Sequence, residues 1–267
     1  HKETKYIEEA LNSNLSSLCD WLVDNKLSIH LGKTESILFG TKNKLSKSNN
    51  LSIKYGTHII EQKQTVKYLG VPLDDTLTGK SMVENVISKI NNKLRFLYRK
   101  RVFLNKDMRR LLCNSLIQPH FDFACSSWYP LLNQNQRYRL QISQNNCIRF
   151  CLNLKRMDRI DIVRFQEINW LPVSNRVTQC IGTLIYKYFN NNVPKYTRDL
   201  FTVKKNKYNI RNPNMLTRPR FNTSNGQKAI SYLGPKVWDD DIPNCIKQKS
   251  TVTLFKHEFK THFLKRN

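Results

Sequence analysis

Two runs of adjacent carboxylates are where this 267-residue chain could do metal chemistry. Asp74-Asp75 ends a predicted strand, and residues 239–241 are three consecutive aspartates before Ile-Pro. Phosphoryl transfer with two divalent metals needs carboxylates from separate segments that hold the ions about 4 Å apart. At Asp74-Asp75, neighbouring side chains of a strand point to opposite faces, and no second acidic segment is evident to complete the site. Adjacent acids before Ile-Pro, as at 239–241, more often form a solvated turn and the entry to a helix. We therefore predict a strand-end and turn role for Asp74-Asp75, a solvated turn at 239–241, and no metal ligands.

The seven cysteines indicate free thiols rather than a disulfide framework or a zinc site. Their number is odd and their spacing irregular, which is typical of reduced intracellular proteins. Cys147 and Cys151 are four residues apart on a predicted helix, but no second Cys or His pair follows at zinc-site spacing. We predict structural thiols, and a protein of the cytoplasm and nucleus.

A large excess of basic residues indicates an anionic partner. The chain has 45 Lys and Arg against 20 Asp and Glu, a formal net charge of +25. Such an excess destabilises a compact chain by self-repulsion, so an anion is expected to neutralise it. Nucleic acid and an acidic membrane surface both carry the required charge. Basic residues occur along the whole chain and are interleaved with Tyr, Phe and Trp, which stack on bases and so favour nucleic acid. No apolar run of about 18 residues and no signal peptide is present, so we predict no membrane partner.

The elements that carry these residues follow from hydrophobic periodicity. Apolar residues at helical spacing predict helices over 4–24, 82–101, 134–154 and 174–190, one from a cap at Asn105 to Pro119, and a terminal helix from Val252. Short apolar segments predict a buried strand over 37–39 ending at Gly40, and one hairpin with strands 51–55 and 65–71 and a turn near Gly56-Thr57. Pro and basic residues predict a loop or edge strands over 204–220. The fold class is α+β and mostly helical.

The helix over 82–101 has two distinct faces. Its apolar stripe is Val83, Val86, Ile87, Ile90, Leu94 and Leu97, and its basic face is Lys89, Lys93, Arg95, Arg99, Lys100 and Arg101. A basic helix face beside a nucleic-acid duplex would contact phosphates rather than base edges. We predict that this face binds nucleic acid. The alternative is a helix face that is merely solvated.

Several short motifs resemble one known family. Trp21-x-x-x-Asn25-Lys26-Leu27, then Lys33-Thr34-Glu35, a strand ending Leu-Phe-Gly at Gly40, and Lys-Tyr-Leu-Gly-Val ending at Val71 are similar to motifs D and E. These motifs close the palm in the reverse transcriptase of non-LTR (LINE-type) retrotransposons. The resemblance extends to the C-terminus through 118–123 and Trp128, and through Gly-Pro, Trp and Ile-Pro over 234–243. Phe121, Phe123, Asp239 and Ile242 depart from the family's usual residues.

The resemblance implies a fold in three parts and roles for individual residues. Residues 1–78 would be the distal palm, 79–160 the helical thumb, and 161–267 a basic α+β C-terminal domain. Lys33 would be the motif D lysine, a general acid that protonates the leaving pyrophosphate; the alternative is a solvated turn lysine. Tyr68, Leu69 and Gly70 would be the primer grip, with Gly70 admitting the primer backbone and Tyr68 packing beneath it.

The function that the resemblance implies is RNA-directed DNA polymerisation by a longer protein. In the family the catalytic aspartates and their Mg²⁺ lie upstream of the position of His1, with fingers and palm segments of the same polypeptide. This chain alone would bind the hybrid of RNA template and DNA primer without extending it. The alternatives are a non-catalytic nucleic-acid-binding protein, or an inactive remnant, derived from such an element.

Overall fold

A computed structural model describes residues 4–47, 51–204 and 215–266 of the chain. The described residues are mostly helical with a few short antiparallel strands, which confirms the predicted α+β, mostly helical class. The chain forms two compact units, His1–Met82 and Val83–Asn267, here called the first and second units. The three-part division into palm, thumb and C-terminal domain stays a prediction.

The first unit combines one long helix with two small hairpins. Its elements are α1 (Thr4–Asp24), α2 (Lys42–Leu45), β1 (Lys54–Tyr55), β2 (His58–Ile59), β3 (Thr65–Tyr68) and β4 (Val71–Asp74). The bounds of α1 agree with the prediction. A small core forms where Leu51, Ile53 and Ile60 are buried against Ile7 and Leu15 of α1 and against Leu38.

The predicted single hairpin is wrong, because the segment contains two hairpins. Tyr55 pairs with His58 around the predicted turn at Gly56-Thr57, so the strand that pairs with β1 begins directly after this turn and not at Thr65. Tyr68 pairs with Val71 around a second two-residue turn. In that turn both Leu69 (φ 45°) and Gly70 (φ 86°) have positive φ, as a tight type I′ hairpin turn requires. Each strand therefore pairs with its nearest neighbour in sequence.

The predicted strand over 37–39 is also wrong. Ser36 forms one parallel bridge with Gln62, and its amide donates to the Glu61 carbonyl at 2.9 Å. The Gly40 amide donates to the Asp75 carbonyl at 3.0 Å. The segment is thus hydrogen-bonded at both ends but forms no ladder between them.

The second unit is built from helices. They are α3 (Lys80–Arg99), which begins in the first unit, α4 (Lys106–Leu116), α5 (Gln118–Asp122), α6 (Cys125–Trp128), α7 (Gln134–Leu152), α8 (Ile162–Glu167), α9 (Val173–Phe189), α10 (Lys195–Arg198), α11 (Ile230–Asp240), α12 (Asn244–Lys247) and α13 (Val252–Arg266). The long helices confirm the predicted ones to within two or three residues. Pro119 does not end a helix; it lies in the first turn of α5, where its missing N–H is tolerated.

Aromatic side chains pack closely where α9 meets α11 and α13. The Tyr186 and Phe255 rings stack at 4.4 Å, and the Phe189 and Trp238 rings at 4.9 Å. The predicted loop over 204–220 falls mostly on 205–214, which lie outside the described residues. Beside that gap, Val203 and Leu216 form one antiparallel bridge.

Candidate nucleic-acid interface

A groove of about 710 Å³ lies between α3 and the end of α7, wholly within the second unit. Its polar lining consists of Asn91, Arg95, Tyr98, Arg101, Asn146, Arg149, Asn153, Lys155 and Arg156. We call it the basic groove. Among the described residues no carboxylate lines it, so five cations and three amides face the same space.

The wall formed by α3 is fixed by the predicted apolar stripe. Val83, Val86, Ile90, Leu94 and Leu97 are all buried, as their helical spacing predicts. Tyr98 packs edge-on against the buried Phe150 of α7, with ring centroids 5.0 Å apart. Burial raises the pKa of the Tyr98 phenol, although Arg101 and Arg149 oppose the shift. The phenol therefore stays neutral and can donate a hydrogen bond to an anion.

The opposite wall is fixed by Arg149. Its Nε and Nη2 donate to the Asp158 carbonyl at 3.2 and 3.0 Å, and its Nη1 donates to Asn146 Oδ1 at 3.1 Å. The Asp158 carboxylate in turn accepts from the Lys155 amide at 2.7 Å. These bonds hold the loop after α7 in one shape, so Lys155 and Arg156 are presented to the groove from a defined backbone.

Arg101 joins the two walls. Its guanidinium donates to Asn153 Oδ1 and lies 5.8 Å from the centroid of the Tyr98 ring. Asn153 has positive φ (60°), a conformation that Asn tolerates well, and ends α7 there. The groove is therefore preorganised, which lowers the conformational entropy lost when a ligand binds.

The structure divides the predicted basic face into separate surfaces. Arg95 and Arg101 line the groove, whereas Arg99 and Lys100 are exposed at the end of α3 without lining it. At 100° per residue, Lys89 and Lys93 lie on another side of the helix. Lys93 Nζ donates to the Leu116 carbonyl at 2.9 Å. Burial lowers the pKa of His120, and the charges of Lys93 and Lys89 lower it further.

Sequence reasoning missed half of the groove. Arg149, Lys155 and Arg156 follow Arg101 by about fifty residues and meet it through tertiary contacts, namely the packing of Tyr98 on Phe150 and the hydrogen bond from Arg101 to Asn153. The basic run at Lys155-Arg156, next to the end of a predicted helix, was the available signal.

Lys33 and the predicted primer grip both lie in the first unit. Lys33 is exposed and ends a 3₁₀ turn, Leu31–Lys33. Tyr68 and Leu69 are at the tip of the second hairpin, 65% and 80% exposed. The Tyr68 side chain is therefore mostly exposed rather than packed beneath the turn. The roles of Lys33, Tyr68, Leu69 and Gly70 stay predictions.

Asp74 has the strand-end and turn role that its position predicts. Its carboxylate accepts from Thr78 N and Oγ1, both at 2.7 Å, from Gly79 N at 2.9 Å and from Thr76 Oγ1 at 3.1 Å. Burial raises the pKa of Asp74, but the hydrogen bonds from Thr78, Thr76 and Gly79 outweigh it and leave the pKa below its usual range. The carboxylate thus fixes the turn before α3.

The other candidate acids and thiols also make structural contacts. The predicted solvated turn at 239–241 is wrong for its first two residues, because Asp239 and Asp240 end α11 and both pair with Arg218. Cys147 is buried and donates from Sγ to the Ser143 carbonyl at 3.3 Å, and burial raises the pKa of its thiol. Within 4–47, 51–204 and 215–266, no three His, Cys, Asp or Glu side chains are grouped so that they could hold a metal ion.

Net charge is divided unequally between the two units. The first unit has 11 Lys and Arg against 9 Asp and Glu, a net of +2. The second has 34 against 11, a net of +23. Basic residues do occur along the whole chain, but almost all of the excess belongs to the unit that contains the groove.

Comparison with known proteins gives no relative: no family model, curated protein or solved structure matches the chain. No helix in the described ranges is long and apolar enough to cross a membrane.

Proposed function

We propose that the second unit binds nucleic acid through its phosphate backbone, with the basic groove as the contact surface. The observation that carries this proposal is the lining of the groove: five cations and three amides, without a carboxylate, on a fixed backbone. Arg and Asn side chains commonly donate to phosphate oxygens, and such contacts supply most sequence-independent affinity. The net charge of +23 on this unit would attract a polyanion from a distance.

We further propose that the bound species is the hybrid of RNA template and DNA primer. This rests on the motif resemblance to non-LTR retrotransposon reverse transcriptases, with 1–78 as distal palm, 79–160 as thumb and 161–267 as C-terminal domain. The chain would then work within a longer polypeptide whose fingers and palm hold Mg²⁺, in the cytoplasm and nucleus. A groove that contacts only phosphates would suit A-form hybrids of any sequence.

In that longer protein, Lys33 would be the general acid, and the hairpin turn at Tyr68, Leu69 and Gly70 would be the primer grip. Lys33, Tyr68 and Leu69 are exposed and so are free to contact a substrate. Replacing Lys33 with Ala in a protein that includes the upstream segments should slow nucleotide addition while primer binding persists. An unchanged rate of single nucleotide addition would remove Lys33 from the mechanism.

A second candidate is a non-catalytic nucleic-acid-binding protein, or an inactive remnant, derived from such an element. Both candidates leave the described residues without a grouped set of metal-ligating side chains, so only the activity of the longer protein distinguishes them. Primer extension by the longer protein, in the presence of Mg²⁺, separates this candidate from a working polymerase.

Binding is tested by fluorescence anisotropy of the whole chain with an RNA–DNA hybrid over a salt series. The variant replaces Arg95, Lys155 and Arg156 with Gln, and the control replaces Lys195, Lys236 and Lys265, which are exposed and do not line the groove. Both lose three charges. The groove variant should bind at least about tenfold more weakly, uniformly across sequences, and its slope of log K against log salt should fall by about 2 to 3.

Equal effects of the two triple variants would mean that net charge, not the groove, attracts the nucleic acid. Unmeasurable binding by the unaltered chain at low salt would contradict the proposed function altogether.

A further inference from the structure

Two apolar side chains stand exposed at the turn between α3 and α4. Val102 is 92% exposed and Phe103 is 80% exposed. We call this pair the apolar tip. It occupies the 3₁₀ turn Arg101–Phe103, directly beside Arg101 of the basic groove.

The tip is held on a fixed backbone. The Phe103 amide donates to the Lys100 carbonyl at 3.0 Å, and the Leu104 amide donates to the Arg101 carbonyl at 3.2 Å. Arg101 is itself anchored to Asn153, and Asn105 caps α4 by accepting from the Met108 amide at 2.9 Å. Helices on both sides and these hydrogen bonds therefore leave little freedom for the turn to fold its side chains inward.

The surroundings of the tip are strongly basic. Arg99, Lys100 and Arg101 precede it, and no acidic residue occurs between 85 and 106. On the other side, Lys106 pairs with Glu167 at 2.7 Å, so the excess positive charge lies on the Arg99–Arg101 side. An occupant that suits both features has an anionic backbone and flat apolar faces. A nucleobase attached to its phosphate has both, and aromatic side chains beside cations are the usual platform for unstacked bases.

An acidic membrane surface would also suit an apolar tip flanked by cations. Two observations favour nucleic acid. The cations continue from the tip into a concave groove, and such a groove fits a nucleic-acid strand better than it fits a flat membrane surface. Two apolar side chains also give a membrane little area to bury.

We propose that Phe103 stacks on an unpaired or terminal base of the nucleic acid whose phosphates occupy the basic groove. This inference rests on the proposed function and adds to it a preference for nucleic acids with unstacked bases. Nucleic acids with unstacked bases, such as single strands and duplexes with an overhang, should bind more tightly than continuous duplex of the same charge.

The test uses the whole chain and three oligonucleotides: a single strand, a duplex with a single-stranded overhang, and a blunt duplex. The variants are Phe103→Ala, Phe103→Leu and Phe103→Trp, and the control is Tyr196→Ala, an aromatic residue 74% exposed and outside the groove. A 2-aminopurine in the overhang reports stacking by its fluorescence. Because Phe103 is exposed, thermal unfolding should be the same for all four variants.

Phe103→Ala should weaken binding of the single strand and the overhang about 5- to 50-fold, and of the blunt duplex less than twofold. Phe103→Trp should keep the affinity and the quenched 2-aminopurine signal, while Phe103→Leu should lose both. The slope of log K against log salt should not change, because no phosphate contact is removed.

Equal binding by Phe103→Ala and the unaltered chain, or by Phe103→Leu and Phe103→Trp, would overturn the stacking proposal. If the Arg95, Lys155 and Arg156 variant still binds weakly in that case, the proposed function survives on its own. Binding to anionic vesicles that depends on Phe103, without nucleic-acid binding, would overturn both and make the tip a membrane contact.

Discussion

Asp74 shows how one carboxylate can determine a local fold. It accepts four hydrogen bonds from Thr76, Thr78 and Gly79, which form the turn that leads into α3. These hydrogen bonds stabilise the ionised carboxylate, and they therefore hold the pKa of Asp74 low.

Replacing Asp74 with Asn should destabilise the turn by about 2 kcal/mol at pH 7, because charge-assisted bonds are lost from a buried acceptor. A group with a lowered folded pKa stabilises above its unfolded pKa of about 3.9 and loses that contribution as pH falls through the lower folded value. The difference between variant and unaltered chain should thus vanish at strongly acid pH. Hydrogen exchange of the amides in 65–82, followed by mass spectrometry, measures it.

Asp75→Asn is the matched control, since the Asp75 carboxylate takes no part in these bonds and its loss should change exchange little. A pH-independent effect of Asp74→Asn would show that the side chain acts by shape rather than by charge.

At the scale of elements, α9 carries a glycine where two other segments approach closely. A Cβ at Gly182 would lie 2.8 Å from Phe259 Cε1 of α13 and 2.9 Å from Ile242 Cδ1. Both side chains are buried, so neither can move away freely. The glycine allows these segments to pack at short range.

Gly182→Ala should therefore lower the free energy of unfolding by about 2 kcal/mol, although Ala is favoured in helices by about 1 kcal/mol. Urea unfolding monitored by circular dichroism checks this. Adding Phe259→Leu should make the double variant less destabilised than the sum of the two singles, because the smaller side chain relieves the overlap. A stabilising Gly182→Ala, or simple additivity, would contradict the packing argument.

Sequence patterns predicted helices well and strand pairing poorly. The apolar stripe of α3 is a local pattern, and its five buried members can be read from spacing alone. The hairpins could not be predicted from spacing, because the choice of partner strand depends on two-residue turns. Nothing in the sequence at Leu69 indicates its positive φ. The groove was half predicted for a similar reason: Arg95 and Arg101 both fall within the predicted helix over 82–101, whereas Arg149 and Arg156 reach the site by tertiary packing.

At the scale of the molecule, the second unit contains the basic groove and most of the cations. The basic groove, the apolar tip and a net charge of +23 all lie within 83–267. The first unit, by contrast, has a small core and exposes large apolar side chains such as Trp21, at 55%.

A protein of residues 80–267, which keeps α3 whole, should unfold cooperatively and bind an RNA–DNA hybrid with nearly the salt slope of the whole chain. The reason is that core and cations are both retained. Thermal unfolding and anisotropy over the same salt series are the measurements. A slope lower by 2 or more would mean that residues before 80 supply phosphate contacts.

The unequal division of charge gives dissolved ions two opposite effects on the second unit. Added salt screens the mutual repulsion of 34 cations and so favours the compact state, yet it also removes the counterion release that drives association with a polyanion. Without a ligand, the unit should therefore be most stable at high salt concentration. Bound to a polyanion, it should be most stable at low salt concentration. Under the ionic conditions of a cell, nucleic acid would then serve this unit as a structural counterion as well as a ligand.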